Sequence, residues 1–126
     1  MKITCGTDII EISRIKESLE GDAGEKFKER VFTKKEIEYC ESKNAQKYQH
    51  YAARFAAKEA IFKAISQELE SKFSIEWKQI EVNNYEDGKP FAVINHEVSG
   101  FIDSIDISLS HCKEYATANA VAVFNK

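Results

Sequence analysis

Four charged residues interrupt an otherwise apolar stretch between positions 51 and 65: Arg54, Lys58, Glu59 and Lys63. If this stretch is a helix, residues four apart share a face, so Glu59 stands beside Lys63. A surface salt bridge between those two is one interpretation, worth only ~0.3–0.5 kcal/mol. A buried helix would instead leave three cations facing one carboxylate, and phosphate oxygens and a metal ion would complete the pairing.

A second carboxylate, Asp8, follows Gly6-Thr7, where we expect the first strand to end and the chain to turn toward a cleft. An aspartate in such a position is commonly a turn or cap residue. Paired with Glu59, however, Asp8 would form a magnesium site, because Mg²⁺ takes one or two carboxylates, keeps several waters and leaves its remaining positions to substrate phosphates. The predicted metal ligands are therefore Asp8 and Glu59.

The helix that must position Glu59 is predicted to run from about Lys47 to Leu69. Aromatic residues such as Tyr51 and Phe55 fall on one side of its helical wheel. The opposite side carries alanines, at positions 53, 56, 57, 60 and 64. Because a helix without a broad polar face is buried, we expect its own sheet and another subunit to cover it.

Weaker signals place the other elements. Thr33 and Glu36 form a capping box that opens a helix ending near Ser42. Ser13 is expected to cap an earlier short helix. The remaining elements are a first strand near 2–6, strand-like alternation at 75–82, 90–94, 105–110 and 114–124, a turn at 87–88 and a short helix near 97–101.

The order of strand, helices and strands predicts an α+β fold, with a mostly antiparallel sheet packed against a long buried helix. The 126 residues fit one domain, 1–126. We expect the last strand to be covered on both faces, since small or apolar residues occupy most of its positions. Its alanines and those of the long helix are expected to present apolar surface to other subunits.

Composition limits the function classes. Hydrophobic residues make up 43% and charged residues 31%, which is ordinary for a soluble globular protein. No apolar run approaches the ~20 residues of a membrane span and no secretory signal is apparent, so we expect a cytoplasmic protein without a membrane partner. The net charge of −3 argues against nucleic-acid binding. The cysteines, Cys5, Cys40 and Cys112, are expected to be buried and reduced.

Basic residues are nonetheless concentrated between Lys26 and Lys35, where five of them accompany a single acid, Glu29. A local basic patch on an acidic protein suggests an acidic protein partner or a phosphate group. A solvated helix face explains the same pattern, and this feature alone favours that second interpretation.

Five sequence blocks, in order along nearly the whole chain, resemble those of the holo-acyl-carrier-protein synthases, the small single-domain 4′-phosphopantetheinyl transferases. They lie at 6–12, 32–36, 54–64, 88–90 and 107–111 with Tyr115-Ala116 beyond. The most specific signal is Arg-Phe-Ala-Ala-Lys-Glu-Ala at 54–60 together with Asp-Ile-Ile-Glu at 8–11. The segment 66–72 departs from the family because it lacks a glycine-rich turn, and Ala53 stands where glycine is frequent.

The resemblance implies a transferase that moves 4′-phosphopantetheine from coenzyme A to a serine of apo acyl carrier protein, releases adenosine 3′,5′-bisphosphate and supports fatty acid biosynthesis. It implies that Asp8 and Glu59 bind Mg²⁺ beside the pyrophosphate of coenzyme A. Lys63 would act near the same phosphates as a catalytic residue, and Arg54 and His111 would lie near the nucleotide end.

The same resemblance implies a surface for the carrier protein that includes Arg14, with the basic stretch, including Lys28 and Arg30, adjacent. Members of the family are typically homotrimers with active sites between subunits. Apart from the resemblance, His111 is more commonly a structural residue, and we expect Trp77 and Tyr115 in the core. Two other classes stay open: a non-catalytic module that binds coenzyme A or a carrier protein, and another magnesium-dependent enzyme acting on a nucleotide diphosphate.

Overall fold

The computed structural model describes residues 1–125. The strands are β1 (Lys2–Glu11), β2 (Ile80–Asn84), β3 (Pro90–Ile94), β4 (Ile102–His111) and β5 (Tyr115–Phe124). The helices are α1 (Ile12–Glu20), α2 (Gly24–Val31), α3 (Lys34–Glu41) and α4 (Lys47–Ile65). Short 3-10 turns follow α4 at Ser66–Glu68, precede β2 at Trp77–Gln79 and precede β4 at Glu97–Phe101.

All strand pairs are antiparallel and form two sheets. The larger sheet has the order β1-β5-β4, and the smaller is the hairpin β2-β3. Helix α4 lies along the inner face of the larger sheet and contributes to both hydrophobic clusters of the core. The predicted α+β fold, with antiparallel sheet against a long buried helix, is confirmed.

Small residues let α4 approach the sheet closely. Alternate residues of β5 (Ala116, Ala118, Ala120 and Ala122) are completely buried and belong to the core. On β1, a Cβ atom at Gly6 would lie only 1.9 Å from the carbonyl oxygen of Ala60, so only glycine allows the two backbones to meet there. This contact fixes β1 against the middle of α4.

The prediction that the alanines form a surface between subunits is wrong, because they fill the core of a single chain. Strand β5 alternates between buried and exposed residues, so one of its faces is covered and the other is open. Three exposed apolar side chains, Ile3, Ile9 and Val121, lie on that open outer face instead. The sheet itself, and not a neighbouring subunit, covers the alanine side of α4.

Several expected boundaries are also corrected. Strand β1 does not end before Asp8 but continues to Glu11, because β5 pairs with it along its whole length. Residues 75–77 do not form a strand, since Trp77 opens a 3-10 turn capped by Glu76 and Gln79. Helix α1 begins at Ile12 without a side-chain cap, so the predicted cap at residue 13 does not form.

The capping box is confirmed: the Thr33 hydroxyl accepts from the backbone N–H of Glu36, whose carboxylate accepts from the N–H of Thr33. Gly88 supports the predicted turn with a φ of +93°. Cys40 is buried as expected, but Cys5 and Cys112 are exposed because they lie on the outer sheet face and at a hairpin end.

Trp77 packs on the core as expected, whereas Tyr115, at the start of β5, is exposed. No helix within residues 1–125 is both long and apolar enough to cross a membrane.

Candidate functional site

Asp8 and Glu59 reach a common cleft from two elements that are locked together. In β1 the even-numbered residues face α4, so Asp8 lies on the same side as Gly6, two residues earlier. Glu59 immediately precedes Ala60, the residue that Gly6 contacts. Both carboxylates line one cleft of about 640 Å³. The predicted meeting of these two residues therefore occurs within one chain.

Lys63 extends the same site. Its Nζ atom donates to the carbonyl oxygen of Thr7 at 2.8 Å and lies 3.4 Å from Oδ1 of Asp8. The alternative interpretation, a simple salt bridge of Glu59 with Lys63 along the helix, is replaced by a contact across to β1. About half of the Lys63 side chain remains exposed, so it is accessible to solvent beside Asp8.

The electrostatics of Glu59 show that the two carboxylates interact. Partial burial raises the pKa of Glu59 above its ordinary value, the nearby Asp8 charge raises this pKa further, and Lys63 opposes both effects. A divalent cation between the carboxylates would relieve this repulsion, and oxygen donors are the ligands that Mg²⁺ prefers. Residues 1–125 contain no group of three or more potential metal ligands. An ion held by Asp8 and Glu59 would leave its remaining positions to water and substrate oxygens.

Glu59 also borders a second cavity, of about 840 Å³. Aromatic and aliphatic side chains line much of it, including Phe62, Phe73 and Trp77. Arg30 lines this cavity and Arg14 lines the first cleft, so each of these predicted partner-binding residues shares a cavity with Glu59. The carboxylate of Glu59 consequently stands at the junction of two solvent-accessible spaces.

Lys58, one of the three cations on α4 for which a phosphate partner was predicted, is neutralised inside the protein. Its Nζ atom lies 2.8 Å from Oε1 of Glu36 and also donates to the carbonyls of Trp77 and Ile80. The other Glu36 oxygen accepts from the N–H of Val82 at 2.8 Å. The expectation that a ligand completes the pairing of Lys58 is therefore wrong, because Glu36 already pairs with it. The sequence pattern had indicated only the capping role of Glu36.

Arg54 lies in a second group of residues, on another side of α4. Its guanidinium carbon is 3.9 Å from the centre of the Tyr39 ring, and its Nη2 donates to Oδ1 of Asn84. Asn84 in turn donates to the carbonyl of Gly88 at 2.8 Å, which ties the turn at 87–88 to this group. Arg54 is buried, and its Nε has no hydrogen-bond partner among residues 1–125.

His111 joins the same group from the end of β4. Its ring centre lies 6.0 Å from that of His50, which is 5.5 Å from the ring of Tyr39. We call Tyr39, His50, Arg54, Asn84 and His111 the arginine cluster. Sequence analysis identified Arg54 and His111 but missed the other three members. Helical spacing could have found His50, which lies four residues before Arg54.

The predicted site residues thus fall into two groups. Asp8 and Glu59 line the acidic cleft and Lys63 contacts Asp8, whereas Arg54 and His111 border neither of the two cavities that Glu59 lines within residues 1–125. A single chain therefore carries two separate parts of the predicted site.

The basic stretch is less uniform than its sequence suggests. The Lys28 side chain is only 19% exposed and lies 3.6 Å from Glu25 and 3.5 Å from Glu41. Arg30 and Arg14 are exposed. Of the three predicted partner-binding residues, Lys28 therefore has intramolecular partners that compete with an external one.

Comparison with known proteins agrees with this architecture. Residues 4–120 match the 4′-phosphopantetheinyl transferase superfamily. The chain is similar to a protein named holo-[acyl-carrier-protein] synthase from Ruminiclostridium cellulolyticum, with 48% identity covering 96% of this chain and 92% of the relative. A protein of the same name from Cytophaga hutchinsonii is 44% identical, covering 96% and 95% respectively.

Solved structures are similar over the same extent. A Chronobacterium ammoniagenes ACPS–CoA complex has a TM-score of 0.82 at 26% identity and covers 100% of both chains. A holo-(acyl-carrier-protein) synthase from Bacillus anthracis in complex with CoA (3′,5′-ADP) has a TM-score of 0.74 at 34% identity and covers 94% of both chains. The similarity therefore extends across both groups of site residues.

Proposed function

The chain belongs to the 4′-phosphopantetheinyl transferase superfamily, and from this premise we propose that it is a holo-[acyl-carrier-protein] synthase. It would transfer 4′-phosphopantetheine from coenzyme A to a serine of an apo acyl carrier protein and release adenosine 3′,5′-bisphosphate. This activity would support fatty acid biosynthesis. The cytoplasmic location expected from the sequence stays a prediction.

One observation carries the proposal: Asp8 from β1 and Glu59 from α4 line a single cleft, with the Lys63 ammonium at its edge. Two carboxylates that can hold a divalent cation, with a lysine beside them, suit phosphoryl transfer, because that chemistry asks a protein mainly for positioning and charge neutralisation. The relatives named as synthases supply the substrate class.

Asp8 and Glu59 would hold Mg²⁺, since their mutual repulsion and their oxygen donors fit this ion. When bound, the ion supplies positive charge to the phosphates of the donor. Lys63 has the complementary role. In the transfer step the serine oxygen bonds to phosphorus and the bond to the leaving phosphate breaks. The exposed Lys63 ammonium would offset the negative charge that grows on the departing adenosine 3′,5′-bisphosphate.

Arg54 and His111 would bind the nucleotide end of coenzyme A. Arg54 is preorganised for a phosphate because Tyr39 and Asn84 fix its guanidinium plane while Nε has no partner. Since these residues lie apart from the acidic cleft within one chain, we propose that a complete site combines the cleft of one subunit with the arginine cluster of another.

A homotrimer would provide three such shared sites. The open sheet face supports association, because three large apolar side chains, Ile3, Ile9 and Val121, are 62%, 64% and 44% exposed there. Exposed apolar groups on one face commonly mark an interface. This face replaces the alanine surfaces as the candidate contact between subunits.

The acyl carrier protein would approach along α1 and α2. Arg14 lines the acidic cleft and Arg30 lines the adjoining cavity, so a negatively charged partner held by both would bring its serine close to Glu59. Charged residues at the edge of an interface mainly steer association. Lys28 would contribute less, because Glu25 and Glu41 already neutralise it.

Mass spectrometry tests the proposal directly. The protein is incubated with coenzyme A, Mg²⁺ and an apo acyl carrier protein, and the carrier is weighed. We expect a gain of about 340 Da, the mass of the transferred group. A stable complex without a mass gain would instead indicate a binding module. Turnover of another nucleotide diphosphate, with the carrier unchanged, would indicate a different magnesium-dependent enzyme.

A further inference from the structure

His50 is a titratable group in the arginine cluster to which the proposed transfer step assigns no role. It is partly buried on α4 and packs edge to face against Tyr39 of α3 and against His111 of β4. The chain has only three histidines, and two of them lie within 6.0 Å of each other, measured between ring centres, in this cluster. Two neighbouring imidazoles beside a buried arginine can donate hydrogen bonds to a negatively charged group.

The charges that act on His50 are all positive. They come from Lys43, which follows α3, from Arg54 on its own helix and from His111 on β4. Lys47, one turn earlier, lies 3.2 Å from Glu41 and is neutralised by it. Burial first, and then the positive charges of Lys43, of Arg54 and of the protonated form of His111, lower the pKa of His50 below its ordinary value of 6.5. In the free protein His50 is therefore neutral at pH 7.

A bound phosphate would reverse this balance. A phosphate monoester carries nearly two negative charges at neutral pH, and the arginine cluster holds a guanidinium whose Nε lacks a partner. Placing such an anion beside Arg54 would stabilise the imidazolium form of a neighbouring histidine. Coenzyme A carries a phosphate monoester on its ribose, at the end opposite the pantetheine.

We propose that His50 is a further donor-binding residue, which takes up a proton when the ribose phosphate of coenzyme A binds beside Arg54 and His111. This inference rests on the proposed function and adds a coupling between donor binding and pH. Because the imidazolium and the phosphate stabilise each other, affinity for coenzyme A falls as the pH rises from the free-state pKa of His50 through its higher pKa in the complex.

Calorimetry measures this coupling. Coenzyme A is titrated into the protein at pH 7 in two buffers of different ionisation enthalpy, and the difference in observed heat gives the number of protons taken up. We expect net uptake with coenzyme A and none with 3′-dephospho-coenzyme A. His50→Gln should abolish most of the uptake and weaken coenzyme A binding about tenfold at pH 6, the scale of one charge-assisted hydrogen bond. Near pH 8 the variant and the wild type should converge.

Two further variants separate titration from structure. His50→Phe keeps an aromatic ring against Tyr39 without a titratable group, and should behave like His50→Gln. His96→Gln is the matched control, because His96 caps the 3-10 turn at 97–101 through Nδ1, outside the arginine cluster. It should leave proton uptake unchanged.

The outcomes separate this inference from the proposed function. Coenzyme A binding with equal proton uptake in the wild type and both His50 variants would overturn the role of His50 alone. Equal uptake with 3′-dephospho-coenzyme A would overturn the assignment to the ribose phosphate. Failure of the wild type to bind coenzyme A at all would overturn the proposed function, and this inference with it.

Discussion

The Nζ atom of Lys58 lies 2.8 Å from Oε1 of Glu36, and both side chains are completely buried. The pair joins the start of α3 to the middle of α4, one residue before Glu59. Through the N–H of Val82 it also holds β2, which carries Asn84 of the arginine cluster. A single internal ion pair thus connects α3, α4 and β2, three of the elements that supply the site.

Breaking this pair should destabilise the whole fold. Lys58→Met leaves the Glu36 carboxylate buried without its cation, and we expect a loss of about 3–5 kcal/mol in the free energy of unfolding. Urea denaturation measures the loss. Lys78→Met, at an exposed position in the 3-10 turn before β2, should cost less than about 1 kcal/mol. A small effect at both positions would contradict the importance of the buried pair.

Removing either carboxylate of the acidic cleft should abolish most transfer without unfolding the protein. Asp8→Asn and Glu59→Gln each remove one negative charge from the cleft, and we expect kcat to fall at least ~10²-fold. The assay is transfer to the carrier protein across a range of Mg²⁺ concentrations. Asp103→Asn, at an exposed position of β4, is the control and should be neutral. Near-normal activity of both cleft variants at limiting Mg²⁺ would rule out the proposed metal site.

The pairing of Asp8 with Glu59 was predicted from the chemistry of two carboxylates and from the family resemblance. Its structural basis was not predicted, because β1 was expected to end before Asp8 and the contact of Gly6 with α4 was not foreseen. The box of Thr33 and Glu36 was predictable from local spacing, since both partners lie within one turn.

The partner of Lys58 could not be predicted in that way. Glu36 is distant in sequence, and its capping role already explained its presence. The packing of the alanines on α4 and β5 likewise depends on which sheet face the helix covers. Sequence alone could not distinguish burial by the chain's own sheet from burial by another subunit. Both errors, the partner of Lys58 and the packing of the alanines, concern contacts between elements that are distant in sequence.

The carrier-protein surface should depend on Arg14 more than on a neighbouring cation. Arg14→Glu reverses a charge at the rim of the acidic cleft, and we expect KM for an acidic carrier protein to rise about tenfold at low ionic strength. KM for coenzyme A should not change. Lys16→Glu, on the same helix but beside the Tyr48 ring, makes the same charge change away from the cleft. Equal effects of the two reversals would indicate general repulsion and not a specific contact.

The division of the site into two groups makes a specific prediction about mixed assemblies. If a complete site takes its acidic cleft from one subunit and its arginine cluster from another, a cleft variant and a cluster variant can complement each other in a mixed assembly. Refolding Glu59→Gln together with His111→Ala should restore part of the activity, because some sites would then combine an intact cleft with an intact cluster. Refolding Asp8→Asn with Glu59→Gln should restore none, because both changes affect the same cleft and every site contains one of them.

Light scattering provides the second half of this test. Ile9→Glu places a charge on the open sheet face and should shift the assembly toward monomer, with transfer activity falling in parallel, since desolvating an unpaired charge at an interface is costly. Thr117→Glu is not a suitable control, because Thr117 pairs with Ile9 on the same face. Asp22→Lys, in the exposed turn between α1 and α2, alters charge away from the sheet and from both cavities and should leave the assembly intact. A wild-type monomer with full activity would contradict the shared site, and with it the expected complementation.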